Sequence, residues 1–86
     1  MSRTVEQNQK MRDARREKIL SAAVRLFATR GLQATKVSDI ARASGMSQGL
    51  LYHYFDSKEA IYIDIVRQAF ARMNGAARAL ERDPMP

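Results

Sequence analysis

Residues 35–59 read TKVSDIARASGMSQGLLYHYFDSKE, and the spacing within them predicts two short helices around a glycine turn. Val37, Ile40 and Ala41 recur at i, i+3 and i+4, which puts them on one inward face. Thr35 or Lys36 stands at the N-cap of that helix, and the sequence leaves both open. Gly45 follows four residues after Ala41 and permits the positive φ of a tight turn, with Met46 filling the corner. Ser47 is the expected N-cap of the next helix, and Leu51 with Phe55 gives its inward stripe. Gln48, Tyr52, His53 and Tyr54 then face outward. That is the geometry by which a helix enters the major groove of DNA.

Working outward, Ile19, Ala23, Leu26 and Phe27 recur at i, i+4, i+7 and i+8 with Leu20 beside them, the stripe of an amphipathic helix beginning near Arg12. Arg15, Lys18 and Arg25 lie on its solvent side. Gly31 after Arg30 supplies a left-handed C-cap, and Leu32 folds back onto the stripe. Residues 1–11 lack apolar period and are expected to form a flexible arm. Downstream, Asp56 is the expected cap of a fourth helix, with Glu59 placed to complete a capping box. Ile61, Ile65 and Ala69, with Tyr62, Val66 and Phe70 around them, carry that helix to about Leu80, and residues 83–86, with two prolines, cannot continue it. Its apolar residues cover more than one side. This is either an over-wide core stripe or the mark of a missing neighbour, a second subunit or a larger domain. The expected architecture is all-α: a three-helix, homeodomain-like helix-turn-helix domain over residues 12–58, then a linking helix from residue 59.

A chain of 86 residues supports one small domain, and 45% apolar content is enough for its core. With no cysteine, disulfides and thiolate metal sites are excluded, and no cofactor is expected. No apolar run reaches the roughly 18–20 residues of a membrane span, so a cytoplasmic location and no membrane partner are expected. The net charge of +6 is unevenly spread. Arg3, Lys10, Arg12, Arg15, Arg16 and Lys18 outnumber three acids in residues 1–18, and Arg25, Arg30, Lys36 and Arg42 face only Asp39 in residues 19–46. From residue 47 onward the charges balance. The positive field therefore lies beside the proposed reading helix and favours a polyanion.

Gly31, Thr35, Val37, Asp39-Ile40-Ala41, Gly45, Ser47, Gly49, Leu51-Tyr52, Tyr54-Phe55 and Ser57-Lys58-Glu59 occur in one register. Together they resemble the DNA-binding domain of the tetracycline-repressor (TetR) family of bacterial regulators, over roughly residues 12–75. The resemblance implies that Tyr52, Tyr54 and Lys58 clamp the DNA backbone, and that Lys36 and Ser38 touch the backbone or an adjacent base. Physical chemistry stands beside it. Gln48 carries an amide suited to a base edge, adenine especially. Ser47, Gln48 and Gly49 open the helix with free N–H groups, and Gly49 adds no bulk to hold the DNA away. His53 stands on the same outer side, within reach of a base or a phosphate. Leu50 meets a thymine methyl or packs. Arg12, Arg15 and Arg16 are a solvated face, or follow an arm that enters the minor groove.

Family members act as homodimers on palindromic operators and carry a larger C-terminal domain that binds a small-molecule inducer. The resemblance therefore implies double-stranded DNA as partner, a homodimer, an inducer bound outside these residues, and a longer protein of which this chain is the N-terminal part. The rival reading is a helical protein-interaction module with a basic surface. An enzyme is disfavoured: there is no paired carboxylate in a cleft, no cysteine nucleophile, one histidine and no glycine-rich phosphate loop.

Overall fold

The computed structural model describes residues 5–82, which form four helices: α1 (Val5–Arg30), α2 (Val37–Ala43), α3 (Gln48–Tyr52) and α4 (Lys58–Arg82). Among the described residues there is no strand, and no helix is long and apolar enough to cross a membrane. The fold is all-α, as the periodicity predicts. Met1–Thr4 and the proline-bearing residues 83–86 lie outside the described residues.

The core joins all four helices. Ile19, Leu20, Ala22 and Ala23 of α1, Ile40 and Ala41 of α2, Leu51 of α3, Phe55 and Ile61 are buried together, with Leu26, Phe27, Val37, Met46 and Ile65 packed around them. Fully burying a side chain such as Ile40 or Leu51 contributes about 1.5–3 kcal/mol. Between α1 and α4 the packing is finished by polar and aromatic contacts. Arg16 donates to Asp64 at 2.7 Å and lies 4.8 Å over the Phe55 ring, while Phe27 meets Tyr62 edge-on at 6.0 Å. Arg16 thereby engages α4 and the Phe55 ring while its side chain stays 42% exposed.

Three local expectations are corrected. First, α1 begins at Val5, so residues 5–11 are helical where an arm was expected. No core stripe is needed there. Gln, Lys, Met and Glu are good helix formers, and Gln9 donates to Asp13 one turn on at 3.0 Å. Second, Ser57 caps α4 by accepting from the Ala60 N–H at 3.1 Å, and Asp56 lies one residue too early. With Ala60 at the third helical position, no capping box with Glu59 forms. Third, regular α3 ends at Tyr52. His53 and Tyr54 form a tighter turn, their N–H groups reaching Leu50 and Leu51 carbonyls at 3.0 and 2.9 Å, before Phe55 turns inward.

Of the two cap candidates for α2, Lys36 holds the position. Thr35 is fully buried, and its hydroxyl donates backward to the Gly31 carbonyl at 2.7 Å, closing the end of α1. The Lys36 N–H donates to Asp39 at 3.1 Å, and Arg30 pairs with the same carboxylate at 3.2 Å. Both turns use glycine in the left-handed region, Gly31 at φ 84° and Gly45 at φ 74°. At the second, Gly45 and Met46 donate to Arg42 and Ala41 carbonyls at 3.1 and 2.8 Å, the paired bonds of a Schellman motif.

Along α4 the apolar residues exceed what the core covers. Ile61 is buried, but Tyr62, Ile63, Phe70 and Met73 are 44–66% exposed, and Ala69, expected in the inward stripe, is exposed as well. The contrast yields a stability prediction. Leu51→Ala should cost about 2–5 kcal/mol, read as a lower urea midpoint. Phe70→Ser should change stability by no more than about 0.5 kcal/mol, and a larger loss would mean that Phe70 is covered in solution.

Candidate nucleic-acid interface

The site is built on α3. Ser47 Oγ accepts from the Leu50 N–H at 3.1 Å, and Leu51, fully buried, anchors the helix from beneath. Phe55, 5% exposed, fixes the chain where it leaves. With those two pointing in, Ser47, Gln48, Gly49, Tyr52 and His53 are left exposed. Among the described residues, the side chains of Gln48, Tyr52 and His53 have no hydrogen-bonding or ionic partner. Their polar groups are available to something outside the chain.

Two shallow grooves flank α3. Lys36, Ser38, Gln48, Tyr52 and Lys58 line one, formed between the start of α2, α3 and the start of α4. Five of the expected contact residues are therefore brought to one concavity. Asp56 and Glu59 line it too, so its charges balance. Across α3, His53 and Tyr54 line the second groove with Leu50 and Arg12. Tyr54 is half-buried, its ring packed against the core, and only part of it faces this groove. The sequence reading placed it fully outward.

Arg12 is the residue that sequence reasoning left open and geometry places. It is exposed and, among the described residues, without a partner. It lines one groove with His53 and Tyr54 because α1 starts well before its core stripe and passes beside the exit of α3. No signal in the spacing of residues could have set that crossing. Lys58 stands at the start of α4, and its ammonium donates to the backbone carbonyls of Leu32, Gln33 and Thr35.

A glycine turn, a capped short helix anchored by two apolar side chains, and outward polar groups without internal partners define a helix-turn-helix module. Comparison with known proteins gives its family. The sequence pattern described as "Bacterial regulatory proteins, tetR family" matches residues 19–65. The chain is 52% identical over 56 residues to the HTH-type transcriptional repressor KstR2 of Rhodococcus jostii (strain RHA1), covering 65% of this chain and 28% of that protein. It is 41% identical over 78 residues to KstR2 of Mycobacterium tuberculosis, covering 81% of this chain and 39% of that one. The structure of the fatty acid degradation regulator FadR from Bacillus halodurans matches with a TM-score of 0.77 and 29% identity, over 84% of this chain and 37% of the other.

This chain belongs to the tetR family of bacterial regulatory proteins. It spans between 28% and 39% of the length of these curated relatives.

Gly49 gives a test of the site's shape. A Cβ added there would meet only Ser47 Oγ, at 4.0 Å, so the fold has room for alanine. Gly49→Ala is expected to leave the unfolding temperature unchanged or slightly higher, because alanine is the better helix former by up to about 1 kcal/mol. A fall on thermal unfolding would show that the fold, not a ligand, needs glycine there.

Proposed function

We propose that this chain is the DNA-reading module of a transcriptional repressor that binds a palindromic operator as a homodimer and releases it when a small-molecule inducer binds elsewhere in the longer protein. The observation that carries the reading is the outward row on α3, whose polar side chains have no partner within the chain while Leu51 and Phe55 hold the helix in place. Repressor activity, the homodimer and the inducer rest on family membership and on the names of the relatives.

In this reading α3 lies in the major groove. Gln48 reads a base edge through its paired amide donor and acceptor, and His53 takes a base or a phosphate. Gly49 lets the helix backbone approach. Tyr52 holds one strand's phosphates together with Lys36 and Ser38 from the start of α2. Across α3, Arg12 joins Tyr54 at the other wall of the groove. The segment Ser47–Phe55 contains no full charge, so specificity rests on amide, imidazole and hydroxyl groups. Affinity comes from the basic residues around it, each neutralised phosphate adding about 0.9 to the log–log salt slope.

Selection of duplexes from a random pool by the full-length protein, followed by anisotropy at several salt concentrations, tests the reading. A palindrome should emerge. Gln48→Ala should relax preference at one position per half-site, at a cost of about 1–3 kcal/mol, while Tyr52→Phe should weaken all sequences alike. Arg12→Met should lower the salt slope by about 0.9. Gly49→Ala should weaken binding without loss of stability. A selection that returns no preferred sequence, with affinities indifferent to these changes, would end the proposal in favour of a protein-interaction module.

A further inference from the structure

The groove between the starts of α2 and α4 holds a polar side chain to which neither the sequence reading nor the proposed contacts give a task. Gln33, in the turn between α1 and α2, lines it together with Lys36, Ser38, Gln48 and Tyr52. Gln33 is exposed, and among the described residues its side chain has no hydrogen-bonding or ionic partner. Its amide carries two N–H donors and a carbonyl acceptor, none of them spent inside the chain.

The backbone that carries this side chain is well held for an exposed turn. The Lys58 ammonium donates to the Gln33 carbonyl at 3.2 Å, and to those of Leu32 and Thr35 at 2.8 and 3.0 Å. The Thr35 hydroxyl closes the same turn onto the Gly31 carbonyl at 2.7 Å. A side chain on a fixed base loses less freedom when it meets a ligand, so more of the contact survives as affinity. Charge supplies the second part of the argument. Lys36 and Lys58 are offset in this groove by Asp56 and Glu59. A groove so close to neutral holds a phosphate strand through directed N–H and O–H donors more than through net field, and Gln33 brings an unspent donor.

We propose that Gln33 is a further DNA-contacting residue, whose amide N–H donates to a phosphate oxygen of the strand lying along this groove. The inference rests on the DNA reading above and deepens it, adding a contact from the α1–α2 turn to those of Lys36, Ser38 and Tyr52. Base edges are reached from α3; a group carried by the turn ahead of α2 meets the backbone, and contacts there carry no sequence information. A neutral donor also displaces no counterion. Gln33 therefore strengthens binding to every sequence alike and leaves the salt slope unchanged, which separates it from a lysine contact and from the base-reading Gln48.

Anisotropy with the full-length protein tests this, on the selected palindrome and on a scrambled duplex, each at several salt concentrations. Gln33→Ala should weaken both duplexes by roughly two- to tenfold with the slope unaltered. Gln33→Lys should tighten both and steepen the slope by about 0.9. Gln68→Lys, which puts the same charge in the groove between α1 and α4, measures the effect of net charge and should do much less. Equal effects of the two lysines, or an unchanged affinity in Gln33→Ala, would overturn the proposal. Replacing phosphates singly by methylphosphonate should reveal one position per half-site whose loss matters less in Gln33→Ala than in the unaltered protein. Strictly additive effects at every phosphate would also reject the contact. The thermal midpoint of Gln33→Ala should stay within about 3 °C of the unaltered protein. A larger fall would assign the side chain to the fold instead. If Gln48→Ala relaxes sequence preference while Gln33→Ala is silent, this inference alone fails; if both are silent, the DNA reading fails with it.

Discussion

The whole site depends on how a helix of five residues is held in place. An isolated helix that short does not persist in water, because the cost of nucleating it exceeds what so few internal bonds return. Here α3 is sustained from outside itself. The Schellman motif at Gly45 and Met46 delivers the chain in the right direction, Ser47 satisfies a free N–H, and Leu51 and Phe55 are driven into the core. Burial of Leu51 alone is on the order of 1.5–3 kcal/mol, comparable to a cap and a turn together. Since the inward residues supply the stability, the outward ones are free of structural duty, and their chemistry is open to a ligand.

The same division explains the charges. The formal excess of +6 overstates what a polyanion would meet. Arg16 is committed to Asp64 and the Phe55 ring, Arg30 to Asp39, and Lys58 to the turn carbonyls. The groove on the α2 side is close to neutral. Exposed positive charge remains on α1, where Arg12 lines a groove with Leu50 of α3, and on Lys36 and Arg42 at the two ends of α2. In the proposed DNA reading, affinity and recognition thus fall largely on different elements, joined by one core.

Much of this arrangement was legible in the residues before any coordinates. The i, i+3, i+4 pattern of Val37, Ile40 and Ala41, the glycines at 31 and 45, and the serine before Gln48 each act over one or two turns. Short-range signals of that kind are intrinsic to local backbone and side-chain chemistry. They gave the helix order, the inward pair Leu51 and Phe55, and the exposed row. They failed where local rules compete. Asp56 and Ser57 offered two caps in succession, and the backbone chose the serine. Thr35 has the chemistry of a cap, yet its hydroxyl found the end of α1. Residues 5–11 lack a core stripe but need none to be helical.

By itself, then, the sequence determined the helices, their turns and which side of α3 would be buried, because each follows from contacts between residues close along the chain. Only the tertiary structure decided where Arg12, Arg16 and Lys58 stand. Each is a cation on an exposed-looking position, and each takes its surroundings from residues far along the chain: the exit of α3, Asp64 of α4, and the carbonyls of the α1–α2 turn. A charge carries no periodic signature. Whether it meets solvent, a carboxylate or a ring of carbonyl oxygens depends on the angle at which one helix crosses another, which the packing of side chains from all four helices sets at once.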